Sequence, residues 1–159
     1  MPQEFHGDPA AAADARIALV VSRYNDFVTL RLYEGALAAL RENGVEEESI
    51  ETAFVPGAWE LSLVAQRFAE AGGFDAVIVL GAVIRGETTH DQYINQQVSH
   101  SLGQLALRTG IPVLFGLLTC NTVDQAINRA GGSVGNKGTE CALAALEMIS
   151  LLRQMPRPL

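Results

Sequence analysis

Aromatic side chains are scarce in this chain, at 6% of 159 residues, while alanine, glycine, leucine and valine abound. That balance speaks for helices packed on a sheet and against an all-β sandwich. Cysteine is rarer still. Cys120 and Cys141 lie far apart and form no C-x-x-C. They suit a reducing cytoplasm, where free cysteine serves as a small core residue. Basic residues are outnumbered 11 to 18, for a net charge of −7. Such a balance lacks the footprint that nucleic acid or an anionic membrane surface requires, although one or two cations still suffice for a single small phosphate. No apolar run approaches the roughly 20 residues that span a bilayer. Met1 to Asp8 carry neither a basic nor an apolar region of the kind that opens a secretory signal.

What is present is enough apolar surface, 48% of residues, for one real core. Residues 1–15 read as a polar, then alanine-rich arm, ordered only if it docks. A single domain is expected over 16–155, with a tail over 156–159. The short continuous apolar run Ile17 to Val21 suits a parallel strand buried on both faces. Ile50 to Val55 reads as a second strand ended by Pro56-Gly57, Ala76 to Ile84 is the strongest strand signal, and Ile111 to Leu118 is a fourth strand. Helices fall between them. The first is capped by Asp26, carries Leu30, Tyr33, Leu37 and Leu40 at helical spacing, and stops at Asn43-Gly44. The second runs from about Trp59 to Ala71, and the third from the Arg85–His90 loop to about Arg108. A short helix over Val123–Arg129 is followed by a glycine-rich loop, Gly131–Gly138. A last helix, Thr139 to Arg153, carries Ala142, Ala145, Leu146, Ile149 and Leu152 on one face. Strict β-α alternation predicts one parallel four-stranded sheet in a three-layer α/β/α domain.

In such sheets ligands bind beyond the carboxyl ends of the strands. Three loops leave those ends, Ser22–Asp26, Pro56–Glu60 and Arg85–His90. Topology therefore gathers Tyr24, Asn25, Trp59, Glu60, Thr88 and His90 along one edge. Two aromatics, an amide, a carboxylate, a hydroxyl and an imidazole suit a flat heterocycle with a polar tail. His90 is the acid-base candidate. A neutral imidazole at a helix start, where the dipole opposes added positive charge, can take up a proton and return it. Read alone, it fits a capping or solvated histidine as well. Thr88 and Thr89 offer an anion site or a plain N-cap. Trp59 alone fits core packing, and Glu60 alone fits a partner for a helix dipole. Arg129 and Lys137 flank the glycine-rich loop as isolated cations. That loop is no P-loop, because Asn136 precedes the lysine, Gly138 follows it, and a helix comes before it. No G-x-G-x-x-G follows the first strand. No H-E-x-x-H or cysteine cluster suggests a metal.

In combination these stretches resemble the lumazine synthase family. They are Arg23-Tyr24-Asn25-Asp26-Phe27, Val55-Pro56-Gly57-Ala58-Trp59-Glu60, Gly81 through His90, Pro112-Val113-Leu114-Phe115-Gly116, and Arg129 through Gly138. The resemblance runs from about Ala15 to Arg153. It implies a flavodoxin-like fold and condensation of 5-amino-6-ribitylaminouracil with 3,4-dihydroxy-2-butanone 4-phosphate, giving 6,7-dimethyl-8-ribityllumazine, phosphate and water. No metal or organic cofactor is implied. Position by position it assigns Tyr24 to stacking on the pyrimidine, with Asn25 beside it, and Ala58, Trp59 and Glu60 to the ribityl side. Ala82, Val83 and Ile84 contact the heterocycle, the last two through their main chain. Gly86, Glu87, Thr88 and Arg129 hold the butanone phosphate, and His90 transfers protons. Phe115 and Lys137 line the site from an adjacent subunit. Tyr24 and Trp59 stand where the family often has phenylalanine. Glu87 brings a carboxylate near a phosphate and is expected to turn away or bind through its backbone.

The same resemblance implies a homopentamer, which some relatives close as twelve pentamers into a hollow shell. The short loop between the last two helices is like theirs. Riboflavin synthase is a further candidate partner, and the expected location is cytoplasmic. The alternative reading is a non-catalytic flavin-binding or shell-forming protein on the same fold. A receiver-type signalling domain is set aside, because Arg23 and Arg85 stand where its acidic residues would be.

Overall fold

The computed structural model describes all 159 residues. Four parallel strands form the central sheet: β1 (Ile17–Ser22), β2 (Ile50–Val55), β3 (Ala76–Ile84) and β4 (Val113–Cys120), in the order β2-β1-β3-β4. Between them run α1 (Asp26–Glu42), α2 (Leu61–Ala71) and α3 (His90–Thr109). After β4 come α4 (Val123–Asn128), a small hairpin of β5 (Ala130–Gly132) and β6 (Gly135–Asn136), and α5 (Lys137–Gln154).

Helices cover both faces of the sheet, giving the expected three layers. Along β3, Ile78, Leu80 and Ala82 join the core shared with α1 and α5. Val77, Val79 and Val83 face the core shared with α2 and α3. The central strands β1 and β3 are buried on both faces, which is why they read as unbroken apolar runs, whereas the edge strands β2 and β4 leave Phe54 and Phe115 exposed. No helix is long and apolar enough to cross a membrane.

Several local expectations change. Asp26 does not cap α1. The cap position is Asn25, in the left-handed region at φ 64°, and Asp26 is the first helical residue. The buried stripe of α1 is Val28, Leu32, Ala36, Ala39 and Leu40, whereas Leu30 is exposed. Small alanines face inward because α1 packs closely on α5, whose own buried face is Ala142, Ala145, Leu146 and Ile149. Leu152, expected on that face, lies at the exposed end of α5. The fourth strand starts after Pro112, whose ring leaves no N–H to donate but whose carbonyl accepts from Val77 N at 2.9 Å. The Gly131–Gly138 segment is a hairpin and a helix start, with no open loop. Gly131 and Gly135, at φ 101° and 105°, supply the turn geometry, and α5 begins at Lys137.

The N-terminal arm docks on α5. Ala12 and Ala15 are fully buried. Asp8 N donates to Ser150 Oγ at 3.1 Å, and Gln154 Nε2 donates to the His6 carbonyl at 2.6 Å. The Arg153 guanidinium, 2.9 Å from Asp14, holds that carboxyl below the usual carboxylate range.

Candidate active site

The sheet opens at one point. β1 pairs with β3 only as far as Val21 and Leu80, while β3 continues with β4 to Ile84 and Cys120. Beyond Ser22 the chain turns the other way, toward β2: Arg23 N donates to the Val55 carbonyl at 2.8 Å and Tyr24 N to Pro56 at 3.0 Å. The ends of β1 and β3 therefore part, leaving the crevice that a reversal of strand order creates. The last residues of β3, Ala82 to Ile84, form one wall, with no neighbouring strand on the β1 side.

A cleft of about 430 Å³ occupies this opening. Tyr24, Asn25, Ala58, Trp59, Glu60, Ala82, Val83, Ile84, Gly86, Thr88 and His90 all line it, so eleven of the expected site residues meet there. Each loop places its side chains for a local reason. Asn25 spends its left-handed backbone to aim its amide across the crevice, where Nδ2 donates to the Ala82 carbonyl at 2.9 Å. This bond ties the β1 loop to the far wall. Trp59 and Glu60 sit in a 3-10 turn, Ala58–Glu60, which brings them to the rim before α2 begins. Tyr24 is 73% exposed and Trp59 56%. Large aromatic faces left in water at a cleft mouth mark a binding surface, not core filler. His90 opens α3, and its N–H faces Thr88 Oγ1 at 3.4 Å, while Thr89 at the cap position makes no side-chain cap bond. Glu87 is exposed and does not line the cleft.

The remaining three expected residues lie elsewhere. Phe115, Arg129 and Lys137 line a separate pocket of about 420 Å³ along β4, the free edge of the sheet. The family-derived grouping of Arg129 with Gly86, Glu87 and Thr88 is therefore not met within one chain. The reason is topological. Arg129 ends α4 and Lys137 opens α5, so the hairpin between them carries both cations to the edge. Phe115 sits opposite Val79 in the β3–β4 register and is 40% exposed, because β4 has no outer neighbour.

Sequence reasoning missed Asp91 and Ile94 in the cleft and Glu140 in the edge pocket. Helical spacing held the signal: Ile94 lies four residues after His90, and Glu140 three after Lys137, each on the same helix face. Electrostatically the two pockets differ. Glu60 and Asp91 line the cleft with no arginine or lysine, whereas Arg129 and Lys137 line the edge pocket with Glu140. Behind the edge pocket two thiols are buried. Burial pushes Cys141 up to about 11 and raises Cys120, with the Arg129 charge opposing the latter in part.

A layered parallel sheet with an aromatic-flanked cleft at its switch point, largely apolar but carrying a few polar groups, fits the class of α/β proteins that bind small heterocyclic molecules. The comparisons specify which. Residues 14–153 match the 6,7-dimethyl-8-ribityllumazine synthase family. The 6,7-dimethyl-8-ribityllumazine synthase of Halorhodospira halophila is 51% identical over 153 residues, spanning 96% of this chain and 98% of that protein. The chain belongs to the 6,7-dimethyl-8-ribityllumazine synthase family. It is a transferase of riboflavin biosynthesis that condenses 5-amino-6-ribitylaminouracil with 3,4-dihydroxy-2-butanone 4-phosphate.

Proposed function

We propose that each complete site is shared by two copies of the chain, the cleft of one closing against the β4 edge of the next. The observation that carries this reading is the split of charge. One substrate bears a phosphate, yet no cation lines the cleft. Arg129 and Lys137 stand together at the edge pocket. A second copy supplies the missing charge, together with the exposed Phe115. Exposed large apolar side chains elsewhere, among them Leu30, Phe54, Tyr93 and Val134, support burial between copies. A cyclic homopentamer satisfies every cleft with one edge, and its closure into a twelve-pentamer shell is compatible with the same contact. Riboflavin synthase, which consumes the product, is the partner such an assembly would hold. The buried free thiols support a reducing, cytoplasmic location.

In this reading Tyr24 and Trp59 flank the pyrimidine and its ribityl chain, and Glu60 accepts from ribityl hydroxyls. The free main chain of Val83 and Ile84 meets the heterocycle edge. The phosphate lies between the Gly86–Thr88 turn of one copy and Arg129 of the other, with Glu87 turned to solvent. The aminouracil amine attacks the ketone, and water leaves as the Schiff base forms. Phosphate is then eliminated, and the second amine closes the ring with loss of water. Each step moves protons and none transfers electrons, so His90 as proton carrier meets the chemical need. Holding two substrates in register supplies much of the acceleration. Arg129 and the N-terminus of α3 receive the departing charge.

Complementation tests the shared site. His90→Ala and Arg129→Ala chains, each purified alone, are expected to lose most lumazine formation. Co-expressed and purified as mixed oligomers, they regain it at about one site in four by random pairing. Mixed oligomers no more active than the parents would refute sharing.

A further inference from the structure

Arg129 and Lys137 reach the edge pocket through a hairpin, not through a rigid element of their own. Lys137 N donates to the Arg129 carbonyl at 2.8 Å, so the two main chains move together. Asn136 ties this unit to the body of the protein. Its Nδ2 donates to the Arg31 carbonyl of α1 at 3.1 Å, and its Oδ1 accepts from Thr139 N of α5 at 3.1 Å. The first partner has only lone pairs and the second only an N–H, so the side chain must donate on one side and accept on the other. An amide does both at this spacing. Serine reproduces the helix cap but is too short to span both partners.

The surroundings are cut to fit this amide. Gly35 lies inside α1, where glycine weakens a helix. A Cβ there would fall 2.5 Å from the Asn136 amide atoms. Gly138, in the first turn of α5, separately lets that helix start abut α1, where a Cβ would fall 1.8 Å from the Leu32 carbonyl. An N-cap alone does not require the glycine at 35. We infer that Asn136, seated on Gly35, is a positioning residue: through the hairpin it sets the aim of Arg129 toward the phosphate without touching substrate. This rests on the reading that Arg129 holds that phosphate.

Steady-state kinetics of the full-length enzyme with each substrate test it, beside thermal unfolding and native mass, for Asn136→Ser, Gly35→Ala and Arg129→Ala. Asn136→Ser keeps a neutral helix cap. It is expected to hold its unfolding temperature and assembly while KM for the butanone phosphate rises about tenfold. Its kcat and its KM for the aminouracil stay within about twofold. Gly35→Ala displaces the amide from the far side and gives the same split. A normal butanone-phosphate KM in Asn136→Ser, with a raised one in Arg129→Ala, would overturn the positioning role and leave the phosphate reading intact. Loss of assembly with both KM values shifted would make Asn136 merely structural. An unchanged KM in Arg129→Ala would remove the phosphate reading and this inference with it.

Discussion

The cleft at the strand ends and the pocket on the β4 edge are built from opposite materials. The cleft takes its residues from three loops, each a few residues past a strand, and carries Glu60 and Asp91 with no cation. The edge pocket rests on a strand, a hairpin and a helix start, and carries Arg129 and Lys137. The cleft is shaped to meet a donor-rich heterocycle, and the edge to meet an anion. In the proposed reading, two substrates of unlike chemistry are received by two surfaces of unlike charge. Proteins place binding groups on loops where reach matters and on rigid elements where aim matters. In the proposed reading the phosphate, whose departure needs a fixed counter-charge, falls to the hairpin side, which the Asn136 tether holds against α1.

If the two regions serve different substrates, their variants should separate by substrate. The largest effect belongs to Arg129→Ala. Losing a charge-assisted contact, at about 1.5–3 kcal/mol, is expected to raise KM for the butanone phosphate about 10- to 100-fold, with little change for the aminouracil. An equal rise for both substrates would break the comparison. Trp59→Ala should do the reverse. Loss of one aromatic face, at about 0.5–1.5 kcal/mol, raises KM for the aminouracil about 3- to 10-fold and spares the phosphate. Isothermal binding of the aminouracil alone to Trp59→Ala protein checks it without turnover.

The smallest effect concerns the backing of the edge pocket. The folded Cys141 thiol, raised to about 11 from an ordinary 9.0, favours folding as long as it stays protonated. Its folded pKa lies above its unfolded one. Its contribution is therefore complete below about pH 9 and fades as pH climbs toward 11, by an amount on the order of 1–2 kcal/mol. Urea midpoints at about pH 8 and about pH 10.5 should diverge less in Cys141→Ala than in the parent chain. Identical divergence in both would show that α5 behind the edge pocket does not feel this thiol.

Much of the cleft could be read from the chain. Ile17 to Val21 and Ala76 to Ile84 announce strands by continuous apolar character, and the polar residues that follow them must lie at the strand ends. Tyr24, Trp59 and His90 therefore fall at that edge by topology alone. Asp91 and Ile94 lie inside α3, beyond the strand-end loop, although the four-residue spacing from His90 to Ile94 puts the latter on the cleft face. Asp26 was misread as a cap because single residues favour caps by type. Asn25 took the position because its amide reaches Ala82, a contact between residues 57 apart in sequence. Leu30 was misread as core because size outweighed alanine in the pattern, while helix-on-helix packing of α1 against α5 rewards the small side chain.

Local order, the parallel layering and most of the residues that line the cleft were determined by the sequence alone, because apolar periodicity and turn chemistry act over a few residues. The tertiary structure decided where charge stands. It sent Arg129 and Lys137 with their hairpin to the free edge of β4, away from the cleft, because strand order and the Asn136 tether to α1 join parts of the chain that no local pattern relates.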